Sequence, residues 1–295
     1  SLRRSRLRRL HSLCYRSEHA EIGIWSEVKL AIIKKYAAAY TTIMDAQRRE
    51  KFSRMRWLYI DGYAGSGHHI SKTRNELVEG SPLIALNTNP PFHEYHFIDS
   101  DTGNAAELRK EAGDRTDVFV YSDDCNDVLL TKVFPRADYS QYRRALCLLD
   151  PYNINLTWQV IEAAGRARSI EIFVNFMIMD INRNALRRNP SKSVRSKVDQ
   201  MTRLWGDDSW LDAGYDQVPT LFDEDRPVKV SNERFAEAFR QRLINKAGFK
   251  CVPKPMPMKT KTNAVIYYLF FASQKDSGMG IVNDIFNQYR TKQGL

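Results

Sequence analysis

The apolar run Ala145-Leu146-Cys147-Leu148-Leu149, followed at once by Asp150-Pro151-Tyr152-Asn153, constrains the fold of this chain more than any other stretch. Consecutive apolar residues of that length read as a strand buried on both faces. Proline cannot continue a ladder, so the strand has to stop there. An acid, a proline, an aromatic and an amide are thereby presented at the carboxyl edge of a buried sheet, where open α/β folds keep their chemistry.

The same punctuation recurs along the chain. A strand expected at 57–60 runs into Asp61-Gly62-Tyr63-Ala64-Gly65-Ser66-Gly67, and one at 95–98 runs into Asp99-Ser100-Asp101. Strands at 118–121 and 170–179 end in Asp123-Asp124-Cys125-Asn126 and in Asp180-Ile181-Asn182-Arg183-Asn184. Helices are expected at 103–112 and 157–167, and a further one opens at Ser81-Pro82 after a polar loop at 68–80. Repeated βα units predict an α/β fold with a Rossmann-like, doubly wound, mostly parallel sheet. Residues 26–45 place apolar side chains at helical spacing, with Ser26 as the expected N-cap. A helix at 231–247 has Ser231 as cap and Gly248 as stop; a β-rich run at 265–272 and a helix at 280–291 follow. The chain divides into a basic arm at 1–25, the first part of a core at 26–182, an insertion at 183–230 acting as lid or recognition element, and the completion of the core at 231–295.

At 295 residues the chain can hold one large α/β domain with an insertion, or two small domains. No apolar run approaches the ~20 residues a membrane span needs, so no membrane association is expected. The four cysteines (Cys14, Cys125, Cys147, Cys251) are widely spaced and form no CxxC pair, which suggests neither zinc nor a disulfide framework and fits a reducing cytoplasm. The net charge of +10 is clustered: six arginines in residues 1–20, seven basic side chains in 181–204 and four lysines in 250–262. Such clusters form either a footprint for nucleic acid or another polyanion, or an ordinary solvated surface.

Gly62, Gly65 and Gly67 after a buried strand allow a tight turn and close approach to a ligand. The spacing is not GxGxxG and the chain has no GxxxxGK[ST], so a phosphate-cradling loop is disfavoured; His68 and His69 are expected in an ordinary loop. An acid at the second strand end can accept both hydroxyls of a ribose; Asp99 is the first choice and Asp101 the reserve. At the third strand end Asp124 can accept from an adenine amino group, with Cys125 and Asn126 beside the ring. Asp180, Asn182 and Arg183 either border the same cleft, with Arg183 holding an anionic group, or merely cap the next helix. Trp158 reads as core, whereas Trp205 and Trp210, in the polar insertion, read as platforms for stacking.

This ordered set resembles a class I S-adenosylmethionine-dependent methyltransferase. Residues 61–67 match the DxFxGxG form of that family's first motif, with Tyr63 in the Phe place and Ala64 between the motif positions. Asp150-Pro151-Tyr152 resembles the (D/N/S)PP(Y/F) motif of amino-methyltransferases, shortened by one proline. The resemblance implies S-adenosyl-L-methionine as cofactor, an amine held by Asp150 and the Pro151 carbonyl, and a base stacked on Tyr152; Asn153 is counted with these as a catalytic candidate. Across nearly the whole chain, the runs at 59–67, 79–86, 95–101, 122–129, 145–158 and 170–186 resemble the three-Cys-motif partner protein family. Its name implies a partner carrying three cysteines, often radical-SAM-like. The reading is therefore a methyltransferase acting on an amine of nucleic acid or another anionic acceptor. The alternatives are a non-catalytic module binding nucleic acid or its partner, and a metal-dependent nuclease using Asp61, Asp99, Asp124 and Asp150, which has no use for the glycine turn; no metal is expected.

Overall fold

The computed structural model describes residues 20–218, 226–260 and 262–292. Of the arm proposed at 1–25, residues 1–19, Cys14 included, lie outside them, and the remainder forms a short strand and the start of a helix. The chain opens with β1 (Glu21–Ile22) and α1 (Ile24–Glu50), then β2 (Arg56–Asp61), β3 (His68–Ser71), β4 (Leu77–Glu79), α2 (Ser81–Leu86) and β5 (Glu94–Ile98). There follow α3 (Thr102–Ala112), β6 (Val118–Tyr121), α4 (Cys125–Val128), β7 (Arg143–Leu149), α5 (Trp158–Ala167), β8 (Ile170–Phe176) and α6 (Ile178–Asn184). The remainder comprises α7 (Arg195–Trp205), α8 (Trp210–Gly214), β9 (Tyr215–Val218), β10 (Arg226–Lys229), α9 (Asn232–Asn245), β11 (Met256–Lys259), β12 (Val265–Ala272) and α10 (Asp276–Lys292).

Seven strands form one sheet in the order β11-β12-β8-β7-β2-β5-β6. Strands β6, β5, β2, β7 and β8 run parallel, and β12 is antiparallel to both β8 and β11. This is the expected Rossmann-like, mostly parallel sheet, wound outwards in both directions from β2. Its strands are apolar on both faces because each face is covered. Leu58, Ile60, Cys147 and Leu149 join one core with α5 and α9, while Trp57, Tyr59, Leu146 and Leu148 join the other with α1 and α10. The winding places Asp61 as the last residue of β2 and Asp99 and Asp150 just beyond the carboxyl ends of β5 and β7, its neighbours.

Several local expectations are corrected. The polar stretch 68–80 is not a plain loop: β3 and β4 pair antiparallel, and β1 pairs parallel with β3. The backbone hydrogen bond from Ile70 N to Ala20 O supplies a partner from a distant segment, which local periodicity does not reveal. Helix α1 begins earlier than 26, with Gly23 at its N-cap; Ser26 sits in the first turn and its N–H donates to Gly23 O. Strand β8 stops at Phe176 rather than 179, because Ile178 and Ile181 are buried through helical spacing in α6. Ser231 does cap α9, its hydroxyl accepting from Arg234 N, and Gly248 adopts φ +81°. The last helix starts at Asp276 instead of 280.

Trp205 and Trp210 are not stacking platforms. They are 3% and 1% exposed, and Trp205 stacks on Phe235 of α9 with ring centroids 5.2 Å apart. Each indole N–H finds a nearby hydroxyl, Trp205 on Ser209 (3.0 Å) and Trp210 on Thr202 (2.9 Å), so the rings enter the core without an orphaned donor. Trp158 is buried, as expected.

Helix α5 approaches the turn after α9 closely enough that only glycine fits at position 165: a Cβ there would lie 2.0 Å from Ala247 O, a backbone atom. Gly165→Ala should lower stability by about 2 kcal/mol or more, since backbone has to move to accept the methyl. Urea unfolding followed by circular dichroism measures this; an unchanged midpoint would contradict the contact.

Candidate functional site

The glycine turn after β2 is built from backbone and acid together. Gly62 N donates to Leu148 O (2.9 Å) and Ala64 N to Ile98 O (3.0 Å), which fastens the turn to both neighbouring strands. Gly65 adopts φ +65°, a conformation other side chains rarely take, and its N–H donates to Asp99 Oδ2 at 2.8 Å. Gly62 also leaves room for Cys125: a Cβ at 62 would lie 2.8 Å from Cys125 Sγ. Burial pushes the Cys125 thiol up, so it serves here as a packed neutral group. Cys147 and Cys251 are likewise free and buried.

Two neighbouring cavities open along the carboxyl edge. One, of about 410 Å³, is lined by Gly62, Tyr63, Asp99, Asp124, Cys125 and Asn126, with the 154–157 segment opposite. The other, of about 570 Å³, is lined by Ala64, Gly65, Asp150, Pro151, Asn153, Asp180 and Arg183. Tyr63 and Tyr152 line both, and Tyr152 is 67% exposed between them. Asn126 supports the first cavity: its Oδ1 accepts from Thr157 N (2.9 Å) and its Nδ2 donates to Asn155 O (3.0 Å). Asp124 caps α4, accepting from Asn126 N (2.9 Å) and Asp127 N (3.2 Å) through Oδ1 alone.

The structure does not bring every expected residue to these cavities. Asp101 caps α3, accepting from Asn104 N at 2.9 Å, while Asp99 faces the cavity and accepts from Asp101 N at 2.8 Å. Of the two, Asp99 is the placed one. Gly67 packs against Leu83 and Leu108, at φ +88°. Asn182 is drawn away by Lys229 (2.6 Å) and Asn232 (2.9 Å), partners from the segment that follows, and leaves Asp180 and Arg183 at the rim. His68 and His69, expected in an ordinary loop, lie in the His68–Ser71 strand, which puts His69 beside the second cavity.

Two site residues escape a sequence reading. Lys29 of α1 ion-pairs with Asp150, donating from Nζ to Oδ2. Asn175 of β8 donates from Nδ2 to Asp150 Oδ1 at 2.5 Å. Lys29 shares the buried face of α1 with Ile33, Tyr36 and Tyr40, so a lysine in the register of buried positions was its signal. Asn175 was visible as the one amide of a strand whose other residues are apolar except for Glu171. Among the described residues, no three His, Cys, Asp or Glu side chains group so as to hold a metal ion, so the four strand-end acids do not converge as a metal-dependent nuclease would require. Among the described residues no helix is long and apolar enough to cross a membrane.

Asp61, expected to hold the cofactor, is wholly buried and lines neither cavity; its Oδ1 accepts from Tyr63 N (3.4 Å). Burial raises its carboxyl from the ordinary 3.8 to about 7.

No family model matches the chain, and no curated protein matches it. Among solved structures, protein LPL1258 from Legionella pneumophila is similar with a TM-score of 0.48 and 12% identity, over 89% of this chain and 91% of that one. The putative methyltransferase yhhF from Escherichia coli gives 0.34 and 12%, over 80% and 85%. A putative S-adenosylmethionine dependent methyltransferase from Listeria monocytogenes gives 0.39 and 12%, over 82% and 99%. Likeness of this degree identifies no site residue.

The raised Asp61 carboxyl makes stability pH-dependent with a definite sign. The folded chain holds this proton more tightly than the unfolded chain, so the contribution is present below about pH 4 and lost as pH rises to about 7. Wild type should lose up to about 4 kcal/mol across that window from this group, and Asp61→Asn should remove that component. Urea titrations at both ends of the window test it; parallel pH profiles for the two proteins would refute the buried-acid assignment.

Proposed function

We propose that this chain is an S-adenosyl-L-methionine-dependent methyltransferase whose acceptor is an amine on nucleic acid. The observation that carries the reading is the gathering of the glycine turn, Asp99, Asp124 and the Asp150-Pro151-Tyr152 loop along one sheet edge, around two cavities that share Tyr63 and Tyr152 in their walls. These residues fit the cofactor. Asp99 and Asp124 offer acceptors for ribose hydroxyls and an adenine amine, and the Gly62 and Gly65 backbone permits close approach. When bound, S-adenosyl-L-methionine supplies an electrophilic methyl group on a sulfonium.

The chain's own residues then position the acceptor. Asp150 and the Pro151 carbonyl orient a nitrogen and its N–H groups, and Asp150 can receive the proton released. Tyr152, largely exposed between the cavities, offers a face for a base to stack on. Arg183 at one cavity and Arg203 at the other are exposed cations suited to phosphates, and Arg188, Lys192 and Arg195 extend that charge outside the cleft. Rate enhancement would come chiefly from orientation and exclusion of water.

A second reading has its own support. Both Asp150 oxygens are already engaged, by Lys29 and Asn175, which suits a cofactor-binding module that transfers nothing. A three-Cys-motif protein would then be the natural partner of such a module.

Incubation with methyl-labelled S-adenosylmethionine and RNA, DNA or peptide separates the two. We expect label on nucleic acid, falling about 100-fold or more in Asp150→Ala. Equal transfer by that variant would remove Asp150 from catalysis, and cofactor binding without transfer to any acceptor would favour the module. Tyr152→Ala, at an exposed position, should leave the thermal midpoint within about 1 °C yet weaken nucleic-acid binding several-fold in a fluorescence anisotropy titration. Unchanged affinity would exclude stacking on this ring.

A further inference from the structure

Lys29 lies where a cation is hard to keep without an anion. Its side chain is 9% exposed, and the Asp150 carboxylate is its ion-pair partner. Its ammonium also sits 5.7 Å from the Tyr267 ring centroid, a weaker attraction. A buried ammonium left unpaired is strongly unfavourable, so Lys29 can leave Asp150 only for another negative group.

Asp150 itself is held from both sides. A carboxylate only accepts hydrogen bonds, so Asn175 has to turn its NH2 towards Asp150 Oδ1; the same nitrogen lies 3.5 Å from Met177 Sδ. That fixes the amide and leaves Asn175 Oδ1 buried with no donor among the described residues. In this arrangement Asp150 is positioned but closed to an acceptor amine, and the group that closes it is Lys29.

The inference rests on the methyltransferase reading above. We propose that Lys29 binds the amino-acid carboxylate of S-adenosylmethionine, giving up Asp150 in exchange, so that Asp150 opens to the methyl acceptor only when the cofactor is in place. Location supports this: Lys29 lines the same cavity as Tyr63, Ala64 and Gly65 of the glycine turn, beside Asp150 and Asn175. Charge balance supports it as well. The exchange keeps the ammonium paired throughout, while Asn175 keeps Asp150 in place through Oδ1. Lys29 is thereby a cofactor ligand and, through Asp150, a device that makes acceptor binding follow cofactor binding.

The test compares S-adenosylmethionine with its decarboxylated form, which lacks only the carboxylate, by isothermal titration. Wild type should prefer the intact cofactor by about 10-fold or more, the size of one charge-assisted contact. Lys29→Met should lose that preference through weaker binding of the intact cofactor, with the decarboxylated form little changed. Asp150→Asn removes the pair that must otherwise break, and should bind the intact cofactor more tightly than wild type. Should Lys29→Met fail to fold with Asp150 unpaired, Lys29→Met/Asp150→Asn compared with Asp150→Asn gives the same answer without an uncompensated charge. A preference that survives loss of Lys29 overturns the assignment while leaving the cofactor reading intact. Wild-type protein that binds neither ligand overturns the cofactor reading, and the Lys29 assignment with it.

Discussion

Two carboxylates stand at the ends of adjacent parallel strands, Asp61 on β2 and Asp150 just past β7, and most of the site follows from that adjacency. The register that pairs Asp61 with Leu148 brings them close, so the Asp150 charge adds to burial in raising the Asp61 carboxyl. The fold resolves the conflict unequally. Asp61 is sealed in and tends towards its neutral form, whereas Asp150 stays at the cavity wall and receives Lys29 and Asn175. The first turns of α1, which otherwise covers one face of the sheet, have to reach the carboxyl edge for that lysine to arrive, and they form part of the wall of the second cavity.

Much of this architecture was readable from local patterns. Strands β2, β5, β6 and β7 announce themselves as largely apolar runs closed by acids, as strands covered on both faces do, whereas β8 stops at Phe176 and carries Glu171 and Asn175 within it. The Val265–Ala272 strand and the Ser231 cap were likewise plain in the residues. What escaped reading is non-local. The β3–β4 pair needs residues 20–22 as its neighbour, and the partners of Lys29 lie far along the chain. The tryptophans of the insertion looked solvent-facing because their neighbours in sequence are charged, yet α7 turns a narrow apolar stripe inward to meet α9.

The site was legible in composition and less so in division of labour. Asp99, Asp124 and the Asp150 loop stand at the cavities, but Asp101, Gly67 and Asn182 hold structure instead: a helix cap, a packed turn and a link to α9. Nothing in a strand-end acid distinguishes facing a cleft from capping a helix, because both use the same oxygen acceptors. Asn175 shows the converse. A polar residue within a buried strand has to be matched by something, and its match turned out to be the loop that the neighbouring strand delivers.

Strand β12 has a temporal implication. It enters the sheet antiparallel beside β8, and its Tyr267 hydroxyl donates to Trp25 O at 3.0 Å, four residues before Lys29. The opening of the first long helix is thus moored to the last strand of the sheet, across a sequence separation of 242 residues. During synthesis, β2 to β8 can begin to associate while that strand is still inside the ribosome, but Lys29 gains its full setting only after β12 emerges. A partly made chain would therefore carry its strand-end acids without the settled lysine that balances one of them, and the site would be among the last features of the molecule to mature.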